Sequence, residues 1–178
     1  LDLLISHGLD AMNIDIKGDA HSVRKWCGAD VEHVWRRAQQ ATENRVHVEI
    51  TTLVIPGVND KPSVLRGIAR RIRSDLGTDT PWHLTRFHPA YKAREYGLQQ
   101  PTPVSTLVEA RQIGLDEGLR FVYVGNVPGH EYENTYCPEC GLLLIRRYIF
   151  WITKYRITKD KRCPDCGTLI PLVGKPYL

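Results

Sequence analysis

Val46-His47-Val48-Glu49-Ile50-Thr51-Thr52-Leu53-Val54 runs directly into Ile55-Pro56-Gly57-Val58-Asn59-Asp60, and this passage decides the fold. Its first part is rich in β-branched residues and stops at a dense cluster of turn formers, which predicts a strand over Val46–Val54. Period-two alternation places His47, Glu49, Thr51 and Leu53 on one face of it. Downstream, Ser63–Ser74 carries Val64, Leu65, Ile68, Ala69 and Ile72 at helical spacing. Trp82–His88 then reads as a strand, Ser105–Glu117 as a helix and Phe121–Val124 as a strand. Upstream, Leu1–His7 reads as a helix end closed by Gly8, and Ala11–Ile16 as a buried strand. Helical stretches follow at His21–Trp26 and Val31–Ala41. Strands separated by helical crossovers predict an α/β fold with a parallel sheet.

Polar residues recur inside these strands. Asn13, Asp15 and Lys17 share one face of the first, and the same alternation groups Leu84, Arg86 and His88 on the third. Such residues are costly to bury unpaired between two layers of helices. They fit the inside of a barrel, converging near the carboxyl ends of the strands where ligands bind. Plainer roles exist for each: an exposed strand-end pair for Asp15 and Lys17, a structural histidine for His88, and an ion pair from Glu49 to Arg86.

Near the end stand Cys137-Pro138-Glu139-Cys140-Gly141 and Cys163-Pro164-Asp165-Cys166-Gly167. Each pair sets two thiols on one tight turn, followed by a glycine that admits the positive φ the turn needs. The 22 residues between Cys140 and Cys163 suffice for strand, turn and strand. Doubled C-x-x-C spacing predicts one four-thiolate metal site, a zinc ribbon or its rubredoxin-like iron equivalent, in preference to disulfides. A pair of cysteines three apart strains a disulfide, and the chain shows no signal peptide and no apolar run long enough to span a bilayer. The remaining cysteine, Cys27, falls in a helical stretch and reads as a small buried hydrophobe.

With 178 residues and 42% hydrophobic composition, the chain has material for one ordinary core and a small appendage. The formal charge of +4 comes mainly from residues 131–178, with eight basic side chains against five acidic. Arg146, Arg147, Lys154, Arg156, Lys159, Lys161 and Arg162 read as a solvated face, too modest to imply nucleic acid. Residue 1 is Leu and the single methionine, Met12, lies inside a strand, so the expectation is a fragment whose natural start lies upstream.

Asn13-Ile14-Asp15-Ile16-Lys17-Gly18, Glu49 through Asp60, and Pro81-Trp82-His83 leading to Arg86-Phe87-His88-Pro89 together resemble the later strands of radical SAM enzymes of the pyruvate formate-lyase-activating type. With Val122-Tyr123-Val124-Gly125-Asn126-Val127-Pro128-Gly129 and the cysteine ribbon that follows, the chain resembles the radical SAM enzyme of the AmmeMemoRadiSam system over nearly its whole length. The resemblance implies the C-terminal part of a parallel (β/α)6 partial barrel over residues 1–130, a rubredoxin-like zinc ribbon over 131–178, and a cytoplasmic enzyme. It also implies S-adenosylmethionine (SAM) and a [4Fe-4S] cluster, with reductive SAM cleavage to a 5′-deoxyadenosyl radical acting on an unknown substrate. Asp15 and Lys17 correspond to the family's SAM-site strand, Thr51 and Leu53 to a pair on the next strand, and His88 to the histidine closing the sixth. Asp15 suits an α-ammonium, Lys17 an α-carboxylate, and His88 a ribose or adenine. AMMECR1-like and Memo-like proteins are the partners it suggests.

The C-x-x-x-C-x-x-C cluster motif and the family's G-G-E stretch are absent from this sequence, so the resemblance covers the last three barrel strands plus the ribbon. Four ribbon thiolates make a coordinatively closed site with no open position for SAM. This chain alone is therefore expected not to make the radical. A non-catalytic zinc-ribbon adapter for protein or RNA is the alternative, and it differs in requiring no packing of the ribbon on the barrel.

Overall fold

The computed structural model describes residues 1–174. In chain order it holds α1 (Asp2–Ser6), β1 (Ala11–Asp15), α2 (Ala20–Cys27), α3 (Val31–Glu43), β2 (His47–Val54), α4 (Pro62–Arg71), β3 (Trp82–Arg86), α5 (Val104–Asp116) and β4 (Val122–Gly125), then β5 (Thr135–Tyr136), β6 (Leu143–Tyr148) and β7 (Trp151–Tyr155). β1 to β4 form one parallel sheet in sequential order, and β5 to β7 a separate antiparallel one. Each parallel neighbour is the next strand in sequence, so each crossover must carry helix between them. The sheet has four strands, one more than the three that the resemblance implied.

The helices start where the side chains allow. Asp19 caps α2 by accepting the Ser22 N–H at 2.8 Å, and Gly28 ends it at φ 63; Asp30 caps α3 through Glu32 N–H at 3.0 Å. Pro62 opens α4, where the N–H it lacks would have had no helical partner. One face of the sheet meets these helices. Val48, Ile50 and Val54 of β2, Trp82 and Leu84 of β3, and Val122 and Val124 of β4 are buried against Trp35, Ala38 and Ala41 of α3, Leu65, Ile68 and Ala69 of α4, and Leu107 and Ala110 of α5. The fully buried polar residue on this face, Thr52, is satisfied. Its hydroxyl donates to the Ile16 carbonyl at 2.8 Å and accepts the Trp82 indole N–H at 3.0 Å.

Three expectations change. β1 is an edge strand, pairing with β2 alone, and within it only Ile14 is buried. Cys27 is exposed, although it lies one turn after the buried Val23, because it is the last residue of α2, where the chain turns away at Gly28. On β3 the alternation runs one residue out of step with expectation. Thr51 aligns with His83 and Leu53 with Thr85, while Leu84 lies fully buried on the helix side. Arg86 accordingly donates from Nε to the Thr102 carbonyl at 2.8 Å, and Glu49 pairs with histidines instead.

The small sheet builds its own core from Cys137, Leu144, Ile145, Ile157, Cys163 and Ile170, into which Phe121 and Tyr123 of the parallel-sheet region are packed. Its β6–β7 turn leaves Phe150 94% and Trp151 75% exposed.

Candidate functional site

The sheet face opposite the helices carries the polar side chains. Register places Asn13 beside Glu49, Asp15 beside Thr51, and Thr51 beside His83. Asn13 Nδ2 donates to Thr51 Oγ1 at 2.9 Å, and Lys17 Nζ lies 2.8 Å from Asp15 Oδ1, both side chains being substantially exposed. Deeper on this face Glu49 bridges two imidazoles, with His83 Nε2 at 2.8 Å and His47 Nε2 at 3.1 Å. The hydrogen bond from His83, ahead of its charge and of the His47 contact, holds the Glu49 carboxyl down at about 2 against the opposing effect of burial. His83 stacks on Tyr123, with centroids 5.1 Å apart at 17°. The Tyr123 hydroxyl meets Thr135 Oγ1 at 3.1 Å, to which Arg147 Nη1 donates at 2.7 Å. Polar contacts thus run from the open face of the parallel sheet into the ribbon.

Of the residues singled out from sequence, Asp15, Thr51 and Leu53 lie on the carboxyl half of β1 and β2, and Lys17 stands two residues beyond β1, paired with Asp15. His88 stands two residues beyond β3, exposed, with Nε2 3.5 Å from the Asn126 carbonyl, and no contact joins it to Asp15 or Lys17 among the described residues. Sequence reasoning missed His83, which the shifted phase of β3 puts on this face, and Tyr123 of β4, aligned beside it. It also took Asn59 for a turn former. Asn59 is fully buried; its Oδ1 accepts the Ile55 N–H at 2.7 Å, and its Nδ2 donates to the Lys17 and Leu53 carbonyls, each at 2.8 Å. One amide therefore ties the loop after β2 to the segment carrying Lys17.

In the ribbon, Cys137, Cys140, Cys163 and Cys166 bring their sulfurs within 4.8 Å of one another. Cys137 and Cys166 Sγ are 3.5 Å apart, and Cys140 and Cys163 Sγ 3.7 Å. A tetrahedral ion with bonds of about 2.3 Å requires sulfurs separated by about 3.8 Å, so the four residues are positioned to hold one metal ion. Gly141 (φ 73) and Gly167 (φ 77) turn back as the motif predicted, and their N–H groups donate to the Cys137 and Cys163 carbonyls at 3.0 Å. The Thr168 hydroxyl, 3.2 Å from Cys166 Sγ, leads in drawing that thiol down to about 6. Cys140, although the Leu142 N–H favours its thiolate, is pushed up to about 12 by desolvation and the adjoining sulfurs. An ion held by all four makes each of them a thiolate. No helix among the described residues is long and apolar enough to cross a membrane.

No protein-family model matches the chain. It is 47% identical over 166 residues to an uncharacterized protein of Methanocaldococcus jannaschii, an alignment covering 93% of this chain and 49% of that protein. The chain thus spans about half the length of that curated relative. Among solved structures it is similar to a domain of pyruvate-formate lyase-activating enzyme from Bacteroides vulgatus, with a TM-score of 0.59 and 20% identity, covering 70% of this chain and 72% of that one. The chain therefore has an α/β fold, built on a four-stranded parallel sheet, like that of a pyruvate-formate lyase-activating enzyme domain, joined to a four-cysteine metal-binding site.

Proposed function

We propose that the chain is the C-terminal part of a radical SAM enzyme, supplying part of the SAM pocket and a structural ribbon to a longer protein. The supporting observation is the set of Asp15, Thr51 and Leu53 at the carboxyl half of adjacent parallel strands, with Lys17 just beyond β1 and paired to Asp15, in a fold like that of an activating-enzyme domain. Asp15 accepts from the α-ammonium of SAM, Lys17 pairs its α-carboxylate, Thr51 and Leu53 line its flank, and His88 reaches ribose or adenine from the end of β3. The exposed Asp15–Lys17 pair fits this role, since both charges remain open to a zwitterionic ligand. SAM, when bound, supplies the adenosyl group that is cleaved by one-electron reduction.

A [4Fe-4S] cluster does not fit the cysteines present. Four of the five thiols close on one another within 4.8 Å, and Cys27 stands alone on α2. In this reading the cluster ligands belong to the part of the protein outside this chain, and the ribbon holds Zn or Fe for structure. The adapter reading draws on the exposed Phe150 and Trp151 but leaves unexplained why Phe121 and Tyr123 belong to the ribbon core. The test is anaerobic assay of the longer parent protein for 5′-deoxyadenosine. Lys17→Ala should weaken SAM binding by about 1.5 to 3 kcal/mol, as for a lost hydrogen bond to a charged group, with ribbon metal unchanged. Cys137→Ser should lose ribbon metal. Normal SAM binding by Lys17→Ala would refute the assignment.

A further inference from the structure

Where α5 and β4 meet the ribbon, a cavity of about 610 Å³ is lined by Arg111, Leu115, Leu119, Tyr132, Tyr136 and Pro138, among others. Arg111 is fixed on two sides. Its Nε donates to the Val122 carbonyl at 3.1 Å on the free edge of β4, and its guanidinium carbon sits 3.9 Å from the centre of the Tyr132 ring. Among the described residues no carboxylate forms an ion pair with it, and neither terminal nitrogen has a hydrogen-bond partner. Arg120, on the same wall, is by contrast neutralised by Asp79 at 2.6 Å and Glu139 at 3.5 Å.

Glu131 lines the same cavity and favours the Arg111 charge through space without forming an ion pair with it. A half-buried guanidinium with no direct ion pair keeps hydrogen-bonding capacity to spare, and one immobilised by Nε and a stacked ring presents its remaining donors as a fixed fork. That fork matches a carboxylate or phosphate. Around it the wall is largely apolar and aromatic, through Leu115, Leu119, Pro138 and Tyr136, with Glu131 and the ion-paired Arg120 as its other charged residues. We propose that this seam is a binding site for a small organic anion, a carboxylate or phosphate monoester on an apolar or aromatic body, whose charge pairs with Arg111. Because Cys137 and Gly141 also line the cavity, an occupant would rest against the first metal knuckle and brace the ribbon on α5. The site lies at the ribbon seam and does not depend on the SAM reading.

Phenyl phosphate and benzoate are the probes, titrated into the metal-loaded chain and followed by amide and arginine Nε–H NMR shifts, with neutral benzyl alcohol as the control. The expected result is saturable binding of at least one anion, shifting Arg111, Leu115, Leu119 and Gly141. Benzyl alcohol should bind at least tenfold more weakly. Arg111→Gln should weaken the anion at least tenfold, whereas Lys159→Gln, on an exposed ribbon turn, should not. If Arg111→Gln fails to fold, the shift map of the unaltered chain decides alone: absence of saturable shifts at these residues with both anions overturns the proposal. Equal affinity for benzyl alcohol, or equal weakening by Lys159→Gln, overturns it as well.

Discussion

Replacing Asn59 by alanine removes one amide that serves three backbone groups at once: the Ile55 N–H and the carbonyls of Lys17 and Leu53. The side chain is fully buried, and Gly18 packs so close that a Cβ there would lie 3.3 Å from Asn59 Cβ. A buried polar group left unpaired costs about 1 to 3 kcal/mol. The hole left by the amide is lined by polar atoms and can admit a water that recovers part of this. About 1 kcal/mol for each of three groups gives a loss of about 3 kcal/mol, within a range of roughly 2 to 5. Urea unfolding of the metal-loaded protein measures it as a lower midpoint at unchanged m-value. Hydrogen exchange at the Ile55 amide gives a local reading, and its protection should fall at least as far as global stability does. Asn59→Asp should be no better than alanine at pH 7, since it keeps the acceptor but faces two carbonyl oxygens with a carboxylate. A loss under 1 kcal/mol, or an Ile55 amide that stays protected beyond the global limit, would refute the bridging role.

Glu49 should make the fold acid-sensitive. Its carboxyl titrates at about 2 in the folded chain against 4.5 unfolded, so its contribution is present above about pH 4.5 and is lost as pH falls toward 2. The full shift corresponds to roughly 3 kcal/mol, which solvent screening of a side chain 36% exposed reduces to about 1 to 2 kcal/mol. Stability followed from pH 6 to pH 3 should fall more steeply in the parent sequence than in Glu49→Gln; identical slopes would contradict the pairing. Gly114→Ala tests the packing of α5, because a Cβ there meets the Trp82 ring and Val122 Cγ2 at 3.0 Å. Helix propensity favours alanine by about 1 kcal/mol, overpacking costs about 1 to 3 kcal/mol, and a net loss of stability is expected by thermal melting.

What the sequence disclosed and what it withheld have the same physical origin. Local rules sufficed wherever the signal was local. The glycines after each cysteine pair, the acidic caps Asp19 and Asp30, and the β-branched run of β2 all behave as their types require. Phase was harder on β3. There Trp82, Leu84 and Arg86 alternate with His83 and Thr85, so hydrophobicity marks Trp82 and Leu84 as the core face, yet the polar grouping was counted from Arg86 and His88. Arg86 keeps the helix-side phase of Trp82 and Leu84 as the last residue of the strand, and His88 lies beyond it, where alternation no longer governs. Asn59 was unreadable for another reason: its partners are Lys17 and Leu53 as well as its own loop, and a turn-forming residue type gives no sign of a distant carbonyl it will meet. Cys27 continues the face of the buried Val23 one turn on, but it is the last residue of a short helix, so the helical pattern alone did not show its exposure.

The hydrogen bond from Trp82 to Thr52 has an optical consequence. Trp82 and Trp35 are sealed in the core between the parallel sheet and its helices, whereas Trp26 at 38% and Trp151 at 75% are open to solvent. Trp151 is the ribbon's tryptophan. A soluble quencher should therefore silence Trp151 and Trp26 first and leave an emission from Trp35 and Trp82 that follows the parallel sheet alone. In a Trp26→Phe background the quenchable fraction belongs to the ribbon hairpin. One cuvette then records metal loss at the four cysteines and unfolding of the sheet as two separate signals.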